Sequence, residues 1–262
     1  MAFEVASVKQ DTGPFRPPNF ALDAGDAYAV TGGHFSADFA LTTYISFAYK
    51  LSLTAEQRRE MIANLPKWVA DDRFDIQAKA PVGDPTKDQM RLMMQALLAE
   101  RFKLVVHFET KESPVLALVL IKPGTLGPKL LPHSKGPPCD APLSPDVFPP
   151  KCYAMMMGMS SGRAKGGSRD TTMALIAGAL PSMGRLGRPV VDRTELNGRF
   201  DFTIEWSPDT NGVPPQPGEP VSDTQGPSFQ AALREQLGLK LESTKAPLQV
   251  LVIDHVERPT EN

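Results

Sequence analysis

Histidine and cysteine are scarce in this chain, and their scarcity narrows the chemistry open to it. Four histidines and two cysteines occur in 262 residues. No His-Glu-x-x-His or other close ligand pair is present among His34, His107, His133 and His255. A metal needs three or four ligands in register, so no metal site and no cofactor are expected. An excess of positive charge is also missing, since 28 Lys and Arg stand against 30 Asp and Glu. A nucleic-acid binder shows a basic face or stripe, so nucleic acid is not an expected partner. No apolar run approaches the ~20 residues of a membrane-spanning helix. The opening MAFEVASVKQ lacks a charged region followed by an apolar core, and so does not read as a signal peptide. It fits a cytoplasmic protein or a mature exported domain.

What is present is a normal globular composition, 41% hydrophobic and 22% charged. It also carries a repeat. DRFDIQAKA (72–80) and GRFDFTIEW (198–206) share Arg-Phe-Asp followed by alternating apolar residues. The match extends outward. Upstream, PKWVAD and GRPVVD both read as short strands entering a hairpin. Further upstream, Leu41, Tyr44, Ile45 and Ala48 lie at helical spacing, as do Met173, Ile176, Ala177 and Leu180. Asp38 and Asp170 precede these runs and read as N-caps. Downstream, each copy reads as a helix, a strand, a turn ending in Lys-x-Ser-Pro or Lys-Ala-Pro, and an apolar strand. Asp88 and Ser228 are candidate N-caps there, and Gly238 a candidate C-cap.

Four matching segments in one order imply an internal duplication, about residues 30–122 and 160–258. Helix–strand–strand units build an α+β fold, with mostly antiparallel sheets and helices on one face. PVLALVLI and PLQVLVI are expected to be central strands buried on both faces. FEVASVK finds a weak counterpart in YAMMM (153–157). The expected organisation is a first half, 1–122, a Pro/Gly-rich linker with the cysteines, 123–168, and a second half, 169–262. Residues 207–227 read as a solvated loop.

Cys139 and Cys152 flank the Pro-rich DAPLSPDVFPPK. A loop-closing disulfide is expected, worth roughly 3 kcal/mol for such a loop and implying an oxidising compartment. The alternative is two unrelated thiols. Read without a neighbouring histidine, the pair does not complete a zinc site.

GMSSG (158–162) matches Gly-x-Ser-x-Gly, the strand-to-helix elbow that exposes a serine nucleophile. With Asp192 or Asp201 and then His255, Ser160 follows the chain order Ser, Asp, His. RAKGGSRD follows the motif and reads as a loop where a helix is required. His107 and His255 lie near strands of equivalent halves and are in reach of each other across a sheet. Arg73/Asp75 and Arg199/Asp201 share one face of their strands and read as cross-strand ion pairs, with ligand binding the alternative. Trp68 and Trp206 flank the two hairpins and either line a groove or bury apolar area. Met155, Met156, Met157 and Met159 read as packing, with an apolar ligand or copper as the alternative.

Several phrases, among them FEVASVK, MRLMMQALLAERFKLVVHFETKESPVLALVL, GRPVVDRTELNGRFDFTIEW and LREQLGLKLESTKAPLQVLVIDHVERPTEN, resemble a large family of unknown function abundant in soil bacteria. The resemblance covers nearly the whole chain. It implies export, because members typically carry a signal ahead of the Phe-Glu-Val-Ala-Ser-Val-Lys start. Some members are fused to, or encoded beside, membrane metallopeptidases of the antibiotic-sensor type, which implies sensing or binding. It supplies no catalytic residues. Glu195 departs from the pattern, which implies Gly at that turn position. The favoured reading is a non-catalytic, periplasmic or otherwise extracytoplasmic domain that binds a small molecule, peptide or envelope protein between its halves. The rivals are an esterase-type serine hydrolase and a docking domain for an envelope or membrane peptidase machine.

Overall fold

The two Arg-Phe-Asp motifs open the central strands of two sheets. In the computed structural model, which describes residues 1–25, 28, 30–81, 83–141, 148–149, 152–208 and 226–259, the chain forms two compact units. Unit 1 comprises Met1–Ser113 and Pro247–Asn262, and unit 2 comprises Pro114–Ala246.

In unit 1, β3 (Arg73–Lys79) lies between β1 (Val5–Asp11) and β2 (His34–Ala40), antiparallel to both. Alternation buries Phe74, Ile76 and Ala78 on one face. Against that face pack α1 (Leu41–Ala48) and α4 (Lys87–Arg101). Two short helices, α2 (Ala55–Ile62) and α3 (Trp68–Asp71), fill the connection from α1 to β3. Trp68 stacks on Phe102 and meets Phe74 edge-on, with the Arg258 guanidinium 5.3 Å from its ring. Tyr44 is fully buried in α1, and its hydroxyl donates to the carbonyls of Ala37 (2.8 Å) and Phe74 (2.6 Å), fastening helix to sheet.

Unit 2 repeats the arrangement. β9 (Phe200–Trp206) lies between β5 (Leu130–Pro132) and β7 (Arg163–Thr171), antiparallel to both, and β6 (Met156–Ser160) adds a fourth strand beyond β7. Phe200, Phe202, Ile204 and Trp206 form the buried face. It packs with α5 (Met173–Met183) and with α6 (Phe229–Ala232), which continues as a wider turn over Leu233–Leu237. The fold is therefore α+β, with one strand–central strand–strand pattern and one helix order used twice. In this scheme β5 is the counterpart of β1, and the extra edge strand β6 takes only the last two residues of YAMMM, Met156 and Met157.

Each unit also takes part of two long strands, β4 (Val105–Leu120) and β10 (Leu239–His255), which are neighbours in a third sheet. β8 (Val190–Asp192) joins that sheet parallel to Leu116–Leu118. Among the described residues no helix is long and apolar enough to cross a membrane.

Several local expectations change. The Lys-x-Ser-Pro and Lys-Ala-Pro segments are not turns, since β4 and β10 run straight through them. β8 pairs with β4 only from Leu116 onward, so Pro114, which has no N–H, breaks no bond to β8. β10 is an edge strand, and Pro247–Ile253 is only partly buried. PKWVAD forms the helical turn α3, which drops Val69 into the core. Residues 123–168, read as a linker, hold β5, β6 and the start of β7. Neither Asp38 nor Asp170 caps a helix. Ala40 precedes α1 without a side-chain cap, and Thr172 caps α5. Thr86 caps α4, with Asp88 in its first turn. Ser228 and Gly238 cap as expected, Gly238 at φ +71°. Residues 209–225 of the second Pro/Gly-rich loop lie outside the described residues.

Candidate functional site

The two aspartates that do not cap helices have another partner. Asp38 is fully buried, and its Oδ2 accepts from Arg73 Nη1 at 2.8 Å. Asp170 pairs in the same way with Arg199 Nε. The repeated unit is thus an Asp on the preceding strand joined to the Arg of Arg-Phe-Asp. β2 reaches this geometry in regular register, whereas β7 reaches it through a bulge between Ser168 and Thr171 that holds Asp170 at φ +49°. Asp75 pairs with Arg16 at 2.9 Å, and Asp201 with His133 Nδ1 at 2.6 Å. Arg73 and Arg199 thus pair across strands, with Asp38 and Asp170 as their partners.

Around Asp170 the polar groups are dense. Its carboxylate accepts from the Tyr153 hydroxyl as well as from Arg199, and the Arg199 guanidinium lies 5.2 Å from the Tyr153 ring centre. Burial alone raises the Asp170 pKa, but the bonds from Tyr153 and Arg199 outweigh it and hold the carboxyl below its usual range. The Tyr153 phenol is raised, first by its bond to Asp170. Cys139 and Cys152 are joined in a disulfide beside this cluster, with Cα atoms 5.7 Å apart. The cysteines do have a histidine beside them, contrary to the reading from sequence. His133 Nε2 lies 3.6 Å from Cys139 Sγ.

The GMSSG segment forms a hairpin. Ser160 ends β6 opposite Arg163, and Ser161 (φ +50°) and Gly162 (φ +75°) make the two-residue connection. Two positive φ angles define a type I′ turn, which matches strand twist and favours glycine at its second place. A strand follows, where a nucleophile elbow requires a helix. Asp192 Oδ1 accepts from the backbone N–H and hydroxyl of Thr194, and His255 Nε2 meets Glu257 at 2.8 Å. Ser160 and Asp192 belong to unit 2 and His255 to unit 1. His107 does not meet His255 but pairs with Asp254 (2.8 Å) and Glu109 (3.1 Å), which raise its pKa.

The Met-rich strand shapes the surface. Met157 lies opposite Gly166 and Met159 opposite Ala164, which in turn lie opposite Ile204 and Trp206. All six positions share one face of the sheet. That face is core under α5, where Met183 sits so close to Gly166 that any side chain there would collide with it. Beyond the helix the face continues uncovered among the described residues, and Met157 and Met159 are 52% and 64% exposed. The result is an open groove of about 440 Å³ lined by Met157, Met159, Ala164, Met183, Arg185 and Trp206. Trp206 forms its buried floor, in T-shaped contact with Phe229 at 5.0 Å. Trp68 packs in unit 1 and takes no part in this groove.

The backbone of β6 completes the site. A two-residue hairpin closes on a hydrogen-bonded pair, here Ser160 and Arg163, and bonded pairs alternate from there. Gly158 and Met156 therefore bond to β7, while Met157 and Met159 turn their N–H and C=O groups outward. Among the described residues no strand pairs with that outer edge. The sequence showed the methionines, but not that two of them continue a core face past the end of its helix.

A smaller depression in unit 1, about 240 Å³, lies between α2 and β10 and includes Leu53, Met61, Leu65 and Val250. Polar Gln57, Glu60 and Asn64 interrupt its wall.

Comparison with curated proteins and with solved structures finds no match. The sequence profile described as Protein of unknown function (DUF3738) matches residues 42–256, most of the chain. A match over that much of the sequence means that the chain belongs to the DUF3738 family.

Proposed function

We propose that this chain is a non-catalytic, extracytoplasmic binding domain that takes up an extended apolar peptide segment of an envelope partner along β6. One observation carries the reading. Met157 and Met159 present apolar side chains and outward-facing backbone groups from the same two positions. An added strand would pair with those backbone groups and set alternate side chains into the groove over Trp206. The unbranched thioethers suit varied apolar residues. Isolated exposed hydrophobics are ordinary, but these two extend a continuous core face, as binding grooves do. The Cys139–Cys152 bond supports an extracytoplasmic setting, because disulfides persist in oxidising compartments.

The test is selection from a library of unstructured peptides, followed by titration of the winners. Peptides with apolar residues at alternate positions should dominate. Each buried thioether is worth about 1.5–3 kcal/mol, so Met159→Ala should weaken binding about tenfold and Met159→Asp should remove it. Selected peptides that bind Met157→Asp and Met159→Asp as tightly as wild type would refute the groove as the binding surface.

A further inference from the structure

We infer that the reduced chain holds one Zn(II) ion between His133, Cys139 and Cys152, so that this corner of unit 2 alternates between a disulfide and a metal site. The three ligand atoms, His133 Nε2 and the two sulfurs, lie within 4.8 Å of one another. Tetrahedral zinc sets nitrogen at about 2.0–2.1 Å and sulfur at about 2.3 Å, which places the two about 3.6 Å apart. His133 Nε2 and Cys139 Sγ already stand at 3.6 Å. One edge of the tetrahedron therefore exists before any metal arrives.

The surroundings prepare the histidine as a ligand. Its Nδ1–H donates to Asp201 Oδ1 at 2.6 Å, which turns the Nε2 lone pair towards the sulfur. Asp201 is held in turn by the Asp170 N–H at 2.8 Å. A carboxylate behind a histidine is the usual support of a zinc ligand, fixing its tautomer and ring orientation. The Asp170 Oδ2 lies 3.7 Å from Cys139 Sγ and adds negative charge beside the site. Cys139 is exposed, so reductant and metal can reach it. The fourth position falls to water.

The chemistry balances with a dithiol as reductant. Two electrons and two protons from the dithiol break the Cys139–Cys152 bond, and the dithiol closes to its own disulfide. The two thiols then each lose a proton to solvent as Zn(II) binds them as thiolates. The sulfurs must separate to about 3.8 Å, the S···S edge of a tetrahedral site. Reoxidation by a disulfide oxidant takes two electrons from the thiolates, re-forms the bond and frees the metal.

The experiment is anaerobic titration of the reduced 262-residue chain with Co(II), then displacement by Zn(II). The readouts are thiolate-to-cobalt charge-transfer absorption and circular dichroism of each sample. Reduced wild type should bind one Co(II) per chain with tetrahedral absorption, and the oxidised chain should bind none. Asp201→Asn should weaken binding about 10–100-fold, as loss of such a support does elsewhere, and His133→Ala should weaken it at least as much. If the reduced chain loses structure without metal, Zn(II) should restore it in wild type but not in His133→Ala. Absence of tetrahedral cobalt in reduced wild type, or equal affinity in His133→Ala, would overturn the inference.

Discussion

Arg73 donates to the buried carboxylate of Asp38 at 2.8 Å, and Asp38 has no exposure to water of its own. Among the described residues the Asp38 Oδ1 has no hydrogen-bond partner, and Oδ2 takes Arg73 and the weaker contact from the Arg16 N–H at 3.4 Å. Removing one partner of such a pair strands the other as a buried charge, at about 3–5 kcal/mol when both are buried. Arg73 is partly exposed, which puts Arg73→Met near the lower end, about 3 kcal/mol. Asp38→Asn combined with Arg73→Met should recover part of that loss. Urea unfolding of Arg73→Met, Asp38→Asn and the double variant measures it, and additive losses would show that the two residues are not coupled.

The disulfide is the second stabilising element to separate from the rest. Replacing Cys139 and Cys152 together by serine should lower stability by about 3 kcal/mol, the value for closing a loop of this length. Denaturant midpoints of the oxidised chain and the double variant decide this. Equal midpoints would mean that the bond adds no net stability.

Glu195 occupies a left-handed position, φ +59°, where the family resemblance implies glycine. An L side chain pays about 1–2 kcal/mol for that conformation, and glycine gives back about 0.5–1 kcal/mol in the unfolded chain. Glu195→Gly should therefore stabilise by up to ~1 kcal/mol, while Glu195→Ala leaves stability unchanged. Thermal melts of the two variants separate backbone strain from any role of the carboxylate.

Asp170 and Tyr153 give the stability curve two limbs. The Asp170 carboxyl is held low, so the unfolded chain binds its proton more readily than the folded one. Its contribution is present above the ordinary carboxyl range and is lost as pH falls through the depressed value. The Tyr153 phenol is raised, so its contribution is present below the ordinary phenol range and is lost as pH rises through the raised value. Asp170→Asn should flatten both limbs, which stability measurements across pH would show. Unchanged limbs would mean that other groups dominate the titration.

The repeat was legible because Arg-Phe-Asp and the helical spacing around Tyr44 and Ile176 are local patterns. What Asp38 and Asp170 do was not legible. An aspartate just before an apolar helix looks like an N-cap, and only strand pairing brings it to an arginine about thirty residues on. The capping boxes of Thr54–Gln57 and Thr86–Gln89 were readable in the sequence, since Thr-x-x-Gln ahead of a helix is their signature. His133 lay six residues before Cys139, yet spacing alone does not show that a turn returns the imidazole to the sulfur. The groove was least legible of all. It depends on where α5 stops covering the sheet, and no short pattern encodes that.

The central claim is that β6 offers its outer edge to a partner strand, and amide hydrogen exchange at single residues tests it most directly. In the free protein Gly158 should exchange slowly, because β7 holds its N–H, while Met157 and Met159 exchange fast. With a selected peptide bound, Met157 and Met159 should become protected while Gly158 changes little. Binding that leaves both methionine amides unprotected would contradict the account.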